Sequence, residues 1–293
     1  MSDIEIDDVF VDDIFIPASD GYMLSGSLFL PRGEKRHAVL INSATAVPRK
    51  LYRNFATYLA SRGFVVLTYD YRGIGGSRPD SLRGFKATMT DWALLDVASA
   101  VTWMRGRYKG LALGVVAHSF GGQAIGLLPN NDMIARSLLV SAQAGTWGLM
   151  PAPEKYRVYA LLNFFGKPIT RALGYLPGKL GLGEDLPRGV FLEWAGWVMN
   201  KRYYYDDPKL KALANYAQYR NPVRALTFSD DPWATREMVE LLCSGFTATK
   251  PEILSIDPGQ VGAFEIGHFG FFKAQHRDTL WKHAANWLAG PAT

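Results

Sequence analysis

Cysteine occurs once in the 293 residues, as Cys243. A single thiol cannot close an internal disulfide, so the core must hold the fold, and a reducing compartment, the cytoplasm, is expected. No uninterrupted apolar run of about eighteen residues exists, so no membrane span is expected. The opening segment MSDIEIDDVFVDD is acidic and lacks the basic-then-apolar order of a secretory leader. Internal repeats and low-complexity tracts are also missing. Histidine is scarce, at five residues, which keeps the candidates for a base or a metal ligand few. Net charge is only +5, and the segment from Trp147 to Pro222 carries the excess with eleven Lys/Arg against six Asp/Glu. Those cations are dispersed rather than clustered, so a nucleic-acid partner is not expected.

Hydrophobic residues make up 48% of the chain, ordinary for a globular protein, and the length suits one large α/β domain with an insertion. Residues 9–17 and 23–31 alternate apolar and polar around Ser19-Asp20-Gly21, as a hairpin or two edge strands would. His37 to Ile41, Phe64 to Tyr69, 137–142, Arg224 to Phe228 and Glu252 to Ile256 read as further strands. Helical spacing is seen over 50–62, closed by Gly63, over a stretch that Thr90 can cap and that runs to Tyr108, over Trp233 to Cys243, and over 271–289. Strands alternating with helices predict a mostly parallel central sheet covered on both faces. The stretch 147–222 differs: it holds fourteen of the thirty-eight aromatics and repeated prolines and glycines. Short helices suit it better than strands. The expected organisation is a core of 1–146 and 223–293, with 147–222 inserted as a helical cap.

The run Leu111 to Leu128, LALGVVAHSFGGQAIGLL, joins an apolar strand to a helix of small residues. Between them, Ala117-His118-Ser119-Phe120-Gly121 must reverse the chain within about two residues, and small side chains let the two backbones approach. Ser119 would then stand at the apex of the turn, at a helix N-terminus whose free N–H groups favour developing negative charge. This resembles the nucleophile elbow G-x-S-x-G of the α/β-hydrolase superfamily, with Ala117 in place of the first glycine. A plain strand–turn–helix with a small residue at the bend is the alternative for the pentapeptide alone.

The resemblance extends well beyond the elbow. Tyr69-Asp70-Tyr71-Arg72-Gly73-Ile74-Gly75-Gly76-Ser77 looks like the D-x-R-G-x-G-x-S loop after the fourth strand of many members. A dinucleotide fingerprint is a poorer match, since Arg78 takes the third glycine's place. Asp96 and Ala100 on the following helix are also similar to the family.

Acyl transfer through serine needs a base within hydrogen-bond reach and a carboxylate to orient that base. His37 begins a strand, His118 precedes the nucleophile and should point away from it, and His276 and His283 lie on the last helix as solvated or packed residues rather than metal ligands. His268, in Glu265-Ile266-Gly267-His268-Phe269-Gly270, follows the last strand in a glycine-flanked loop. For the acid, Ser229-Asp230-Asp231-Pro232 offers two aspartates: Asp231 precedes a proline suited to a helix N1 position, Asp230 could instead be a turn or cap residue, and the family pattern favours Asp231. The order Ser119, Asp231, His268 is the order the family uses. Where many members carry His-Gly after the third strand, this chain has Ser43-Ala44-Thr45-Ala46. The resemblance then implies an oxyanion hole from the backbone N–H groups of Thr45 and Phe120.

The resemblance implies the α/β-hydrolase fold with an inserted cap. It also implies a serine hydrolase acting on a small apolar ester, with no cofactor and no metal. Cap aromatics, Trp147, Trp194 and Trp197 among them, are expected to line the substrate pocket, although packing against one another is their plain alternative. Two other chemistries fit the same triad, acyl transfer to an alcohol and an aminopeptidase or amidase in which cap acids (Glu154, Glu184, Glu193) hold an amino group. A non-catalytic binding module on a hydrolase scaffold is the alternative from another class.

Overall fold

The computed structural model describes residues 9–181 and 183–290. The order of elements is β1 (Val9–Pro17), β2 (Met23–Pro31), β3 (His37–Asn42), α1 (Arg53–Ser61), β4 (Phe64–Tyr69), α2 (Met89–Asp91), α3 (Ala98–Arg107), β5 (Leu113–His118), α4 (Phe120–Ile125) and β6 (Arg136–Val140). After them come α5 (Glu154–Ala160), α6 (Lys167–Leu173), β7 (Tyr175–Leu176), β8 (Leu186–Pro187), α7 (Arg188–Met199), β9 (Val223–Phe228), α8 (Arg236–Cys243), β10 (Glu252–Ile256) and α9 (Lys282–Ala289). A π-helical stretch, Trp92–Val97, makes α2 and α3 one continuous rod. Eight strands form one sheet in the order β1-β2-β4-β3-β5-β6-β9-β10. The β1–β2 and β2–β4 pairs are antiparallel and the rest are parallel. This is the α/β-hydrolase fold. Among the described residues no helix is long and apolar enough to cross a membrane.

The middle strands are near-continuous apolar runs because both sheet faces are covered. Alternate residues divide between two cores. Leu40, Val115 and Ala117 join the core under α3, α4 and α8, whereas Val39, Ile41 and Val116 join the one under α1 and α9. That alternation decides how β5 ends. With Ala117 on one face, His118 must face the α1/α9 side, and the chain then turns up at Ser119.

Several local expectations shift. The helix expected from residue 50 starts as a 3-10 turn (Arg49–Tyr52) before α1. Thr88, not Thr90, is the N-cap of α2: its hydroxyl accepts from Asp91 N and the Asp91 carboxylate accepts from Thr88 N, a reciprocal box. Thr90 is instead bound by Glu193, through both its N–H and its hydroxyl. The helix expected from Trp233 begins at Arg236, because the Asp231 carboxylate takes the N–H groups of Trp233 and Ala234 into a turn. The last helix is broken into 3-10 and π turns before α9.

The chain between β6 and β9 leaves and returns between hydrogen-bonded neighbours in the sheet. Its first part, α5 to α7, lies over the loops at the carboxyl ends of the strands. Glu184 accepts from Gly75 N (2.7 Å), Arg78 pairs with Asp185 (2.8 Å), and a side chain at Gly73 would strike Pro187. Its last part does something else. Tyr203, Tyr204 and Tyr216 are buried among one another and against α4, so this run of rings is packing rather than pocket wall. Tyr156, Phe164 and Phe165 point outward from α5 and the stretch after it.

Candidate active site

Ser119 sits at the junction of β5 and α4 with φ 51° and ψ −116°, a left-handed conformation that a non-glycine residue adopts only under constraint. The constraint is visible on both sides. Ser119 N donates to Val140 O (3.0 Å), and the Ser119 carbonyl accepts from Gly122 N (3.0 Å) and Gln123 N (3.3 Å). A Cβ at Gly121 would lie 2.6 Å from the Asn42 carbonyl, and one at Gly122 would lie 2.4 Å from the Ala142 Cβ. The two glycines therefore let α4 start directly over β3 and β6, which holds Ser119 at the apex.

His268 Nδ1 lies 2.8 Å from Asp231 Oδ2, and Asp231 is buried at 3% exposure. Burial alone would push the Asp231 carboxyl up. The charge of His268 and its hydrogen bond outweigh that, with help from the Trp233 N–H, and hold the carboxyl below the usual range. Asp230 takes no part in this pair. Its carboxylate accepts the N–H groups of Ile266 (2.8 Å) and Gly267 (3.0 Å), which fixes the loop that presents His268. The two neighbouring aspartates thus serve one histidine in two ways, Asp231 at its ring and Asp230 through the backbone of the two residues before it.

Ser119 and His268 open on one cavity of about 540 Å³. Ala46, Val47, Met150, Trp194, Trp233 and Phe269 supply apolar wall, and Thr45, Gln123 and Gln143 supply polar groups. Phe120 begins α4, so its N–H has no intrahelical acceptor. In the 43–46 loop, the Ala44 N–H is already given to Tyr52 Oη (2.9 Å), while Thr45 lines the cavity. Of the three tryptophans expected in the pocket, Trp194 lines it, stacked near Trp233 (centroids 6.5 Å, planes 17° apart). Trp197 does not: it is buried at 2% exposure against Tyr203 and Tyr204, its Nε1–H donating to Asp207 (2.9 Å). Trp147 is also outside the lining, its ring tilted against Tyr159 (centroids 5.3 Å, planes 49° apart). Spacing alone could not separate these cases, since α7 places Trp194 and Trp197 one turn apart. Trp233, which lies in the core sequence rather than the insertion, carries no sequence signal that marks it.

Two of the three acids considered as an amine anchor are occupied, while Glu184 lines the cavity with one oxygen bonded. Both Glu193 oxygens accept from Thr90, Glu154 is bound twice by Arg157 (2.6 and 2.8 Å), and Glu184 accepts from Gly75 N. The glycine loop after β4 is equally filled. A Cβ at Gly75 would meet the Asp70 carboxylate at 2.5 Å and one at Gly76 would meet Ser25 Oγ at 2.6 Å, so this loop wraps its own side chains rather than a phosphate. Cys243 is buried in α8, where desolvation pushes its thiol up to about 12 and keeps it protonated.

His118 points away from the nucleophile, as expected, yet it is tied to its surroundings. It is fully buried, and desolvation, followed by the nearby charge of His268, lowers its pKa to about 3, so it is neutral. Nε2 faces the His268 carbonyl (2.8 Å), which can only accept, so Nε2 carries the proton. Nδ1 must then accept from Tyr52 Oη–H (2.9 Å). A line of hydrogen bonds thus runs from Ala44 through Tyr52 and His118 to the backbone of His268. An unfolded histidine titrates near 6.5, so as pH falls the unfolded chain takes up this proton first. The stability due to neutral His118 is complete above pH 6.5 and is lost between about 6.5 and 3, at up to about 1.4 kcal/mol per pH unit. Urea unfolding between pH 6.5 and 4.5 should therefore show a steeper loss for the wild type than for His118→Asn. Parallel slopes would mean that His118 is not held neutral.

Comparison with known proteins agrees with this architecture. Among curated proteins, none matches the sequence. Similar solved structures include DcsB, described in complex with its substrate analogue (TM-score 0.65, 14% identity, covering 97% of this chain and 100% of that one). The Pyrococcus furiosus esterase Pf2001 gives 0.64 and 16%, covering 98% and 93%. An esterase from Exiguobacterium antarcticum gives 0.59 and 16%, covering 94% and 99%. At such identities these likenesses concern the fold. The sequence itself matches the model of the Alpha/beta hydrolase family over residues 38–277, and the chain belongs to that family.

Proposed function

We propose that the protein is a serine hydrolase that cleaves a small carboxylic ester through an acyl-enzyme. The observation that carries this reading is the meeting of the strained Ser119 and the Asp231-paired His268 in one cavity. Ser119 attacks the ester carbonyl, and His268 takes its proton and returns it to the leaving alcohol. Asp231 keeps the imidazole in the Nδ1–H tautomer and stabilises its cation. The N–H groups of Phe120 and Thr45 receive the developing oxyanion. Water then repeats the sequence on the acyl-enzyme. In this reading the 147–222 insertion is the cap, and it contributes Trp194 and Met150 to the cavity. The aminopeptidase alternative loses support because Glu193 and Glu154 are already engaged within the protein, which leaves it Glu184 alone on the cavity wall. A fluorophosphonate probe tests the proposal directly: covalent labelling at Ser119 is expected, and an inert serine in the folded protein would favour a binding module.

The largely apolar wall also predicts chain-length selectivity. Each buried methylene is worth about 0.8 kcal/mol, roughly fourfold. For plain alkyl esters kcat/KM should rise over the first several carbons and then level off as the cavity fills. Trp194→Ala should flatten that rise, whereas Trp197→Ala, at a packing position, should lower stability and leave the profile's shape unchanged. A flat wild-type profile would remove acyl-chain burial from the reading.

A further inference from the structure

Two buried polar side chains beside the site take no part in the chemistry described above. The hydroxyl of Tyr52 and the imidazole of His118 belong to residues that are wholly buried, and neither lines the cavity that Ser119 and His268 share. Their hydrogen bonds nonetheless join the two loops on which that chemistry depends. At one end Tyr52 Oη accepts from Ala44 N (2.9 Å), in the loop that supplies the Thr45 N–H. At the other end His118 Nε2 donates to the His268 carbonyl (2.8 Å). Tyr52 Oη–H, donating to His118 Nδ1 (2.9 Å), closes the line. Every donor points the same way, toward His268, so each bond polarises the next.

The line has fixed ends and a fixed middle. The Ala44 carbonyl accepts from Val47 N (3.3 Å), and in a planar trans peptide the Thr45 N–H lies opposite that carbonyl. Holding Ala44 by both its N–H and its carbonyl therefore sets where the Thr45 N–H points. Tyr52 ends the 3-10 turn Arg49–Tyr52, whose first N–H is given to Asp70 Oδ1 (2.6 Å). The Phe272 ring packs on both Tyr52 (centroids 4.7 Å) and His118 (4.9 Å). His118 is also the last residue of β5, directly before Ser119, so the middle of the line is anchored to the strand that carries the nucleophile. Oxyanion loop, nucleophile and base loop are thus all referred to one imidazole.

We propose that Tyr52 and His118 are positioning residues that keep the oxyanion loop and the base loop in register on either side of Ser119. This inference rests on the serine-hydrolase reading. The consequence lies in when each part acts. The Thr45 N–H meets a full negative charge only at the tetrahedral stage, and His268 takes the Ser119 proton only as that stage forms. A small misplacement of either therefore weakens the transition state and leaves binding of the resting ester unchanged. A packing role would instead show as lost stability, with an unchanged rate in the molecules that remain folded.

The experiment compares Tyr52→Phe, His118→Leu and the double variant with the wild type, on protein whose folding is checked by urea unfolding. For each, kcat, KM and the affinity of an alkyl boronic acid, which forms a tetrahedral adduct on a reactive serine, are measured. Tyr52→Phe keeps the ring and removes one hydroxyl; it should lower kcat and boronate affinity together by about tenfold, with KM changed by less than about twofold. The double variant should fall no more than about twofold below the poorer single, because one break already severs the line. His118→Gln, whose amide can again donate to the His268 carbonyl, should recover part of the rate lost in His118→Leu. The inference is overturned, in a wild type whose Ser119 is labelled by a fluorophosphonate, by an unchanged kcat in folded Tyr52→Phe, by a loss that falls on KM alone, by losses that multiply in the double variant, or by a His118→Gln no faster than His118→Leu. If His118→Leu does not fold, the paired kcat and boronate losses in Tyr52→Phe decide. Absence of both labelling and turnover in the folded wild type overturns the hydrolase reading and this inference with it.

Discussion

Ser119→Ala is expected to reduce ester turnover by about 10⁴-fold or more while the protein stays folded. The size follows from the chemistry: no other hydroxyl can inherit the position, because the apex geometry belongs to a single residue. Fold retention follows from the packing. Ser119 shapes its surroundings through its backbone, whose N–H and carbonyl bonds to Val140, Gly122 and Gln123 do not involve the side chain. Alanine keeps the same Cβ at the same φ. Steady-state kinetics of the purified variant, beside its urea unfolding curve, decide the matter. Most of the activity surviving in the folded variant would take Ser119 out of the mechanism.

Asp231→Asn should cost about as much, on the order of 10⁴-fold in kcat, although the change is one of charge and not of shape. Asp231 Oδ2 holds the His268 Nδ1–H, which leaves Nε2 free to take a proton. An asparagine can offer an N–H there and favour the opposite tautomer, with the proton on Nε2. The second oxygen, Oδ1, serves the N–H groups of Trp233 and Ala234, so an Asn that keeps its oxygen on that side leaves the turn intact while the base is disabled. Asp230→Asn is the control. Its carboxylate receives only backbone donors from Ile266 and Gly267, an amide oxygen can still accept, and the expected cost is about 1 kcal/mol of stability with a small loss of rate. If Asp230→Asn proves the more damaging of the two, the acid has been assigned one residue late.

The strands, the helices and their order follow from short-range pattern because burial on both faces makes the middles of β3 to β6 apolar, with polar residues kept mostly to the strand ends. Ser119 and His268 were legible because each stands in a local context that few other functions need. The choice between Asp230 and Asp231 was not local, since both reach the same distant loop and only the fold decides which one meets the His268 ring. The aromatic residues show the limit most clearly. Trp194 and Trp197 share a helix and a chemistry, and only the partners across from them make one a cavity wall and the other a girder.

The tyrosines at the end of the insertion have a consequence for which parts of the chain can be exchanged separately. Tyr216 donates to the Gln123 carbonyl (2.8 Å), and its ring occupies the space in which a Cβ at Gly126 would fall, only 2.1 Å from a ring carbon. Asn215 serves the Leu127 carbonyl in the same way (2.8 Å). The helix that begins at the nucleophile is therefore finished by residues donated from the insertion. Exchanging the whole insertion for another would leave those carbonyls bare and a hole above Gly126. A side chain at position 126 is therefore compatible with this packing only where the ring at 216 is removed, so Gly126→Ala should be destabilising in the wild type and much less so beside Tyr216→Ala.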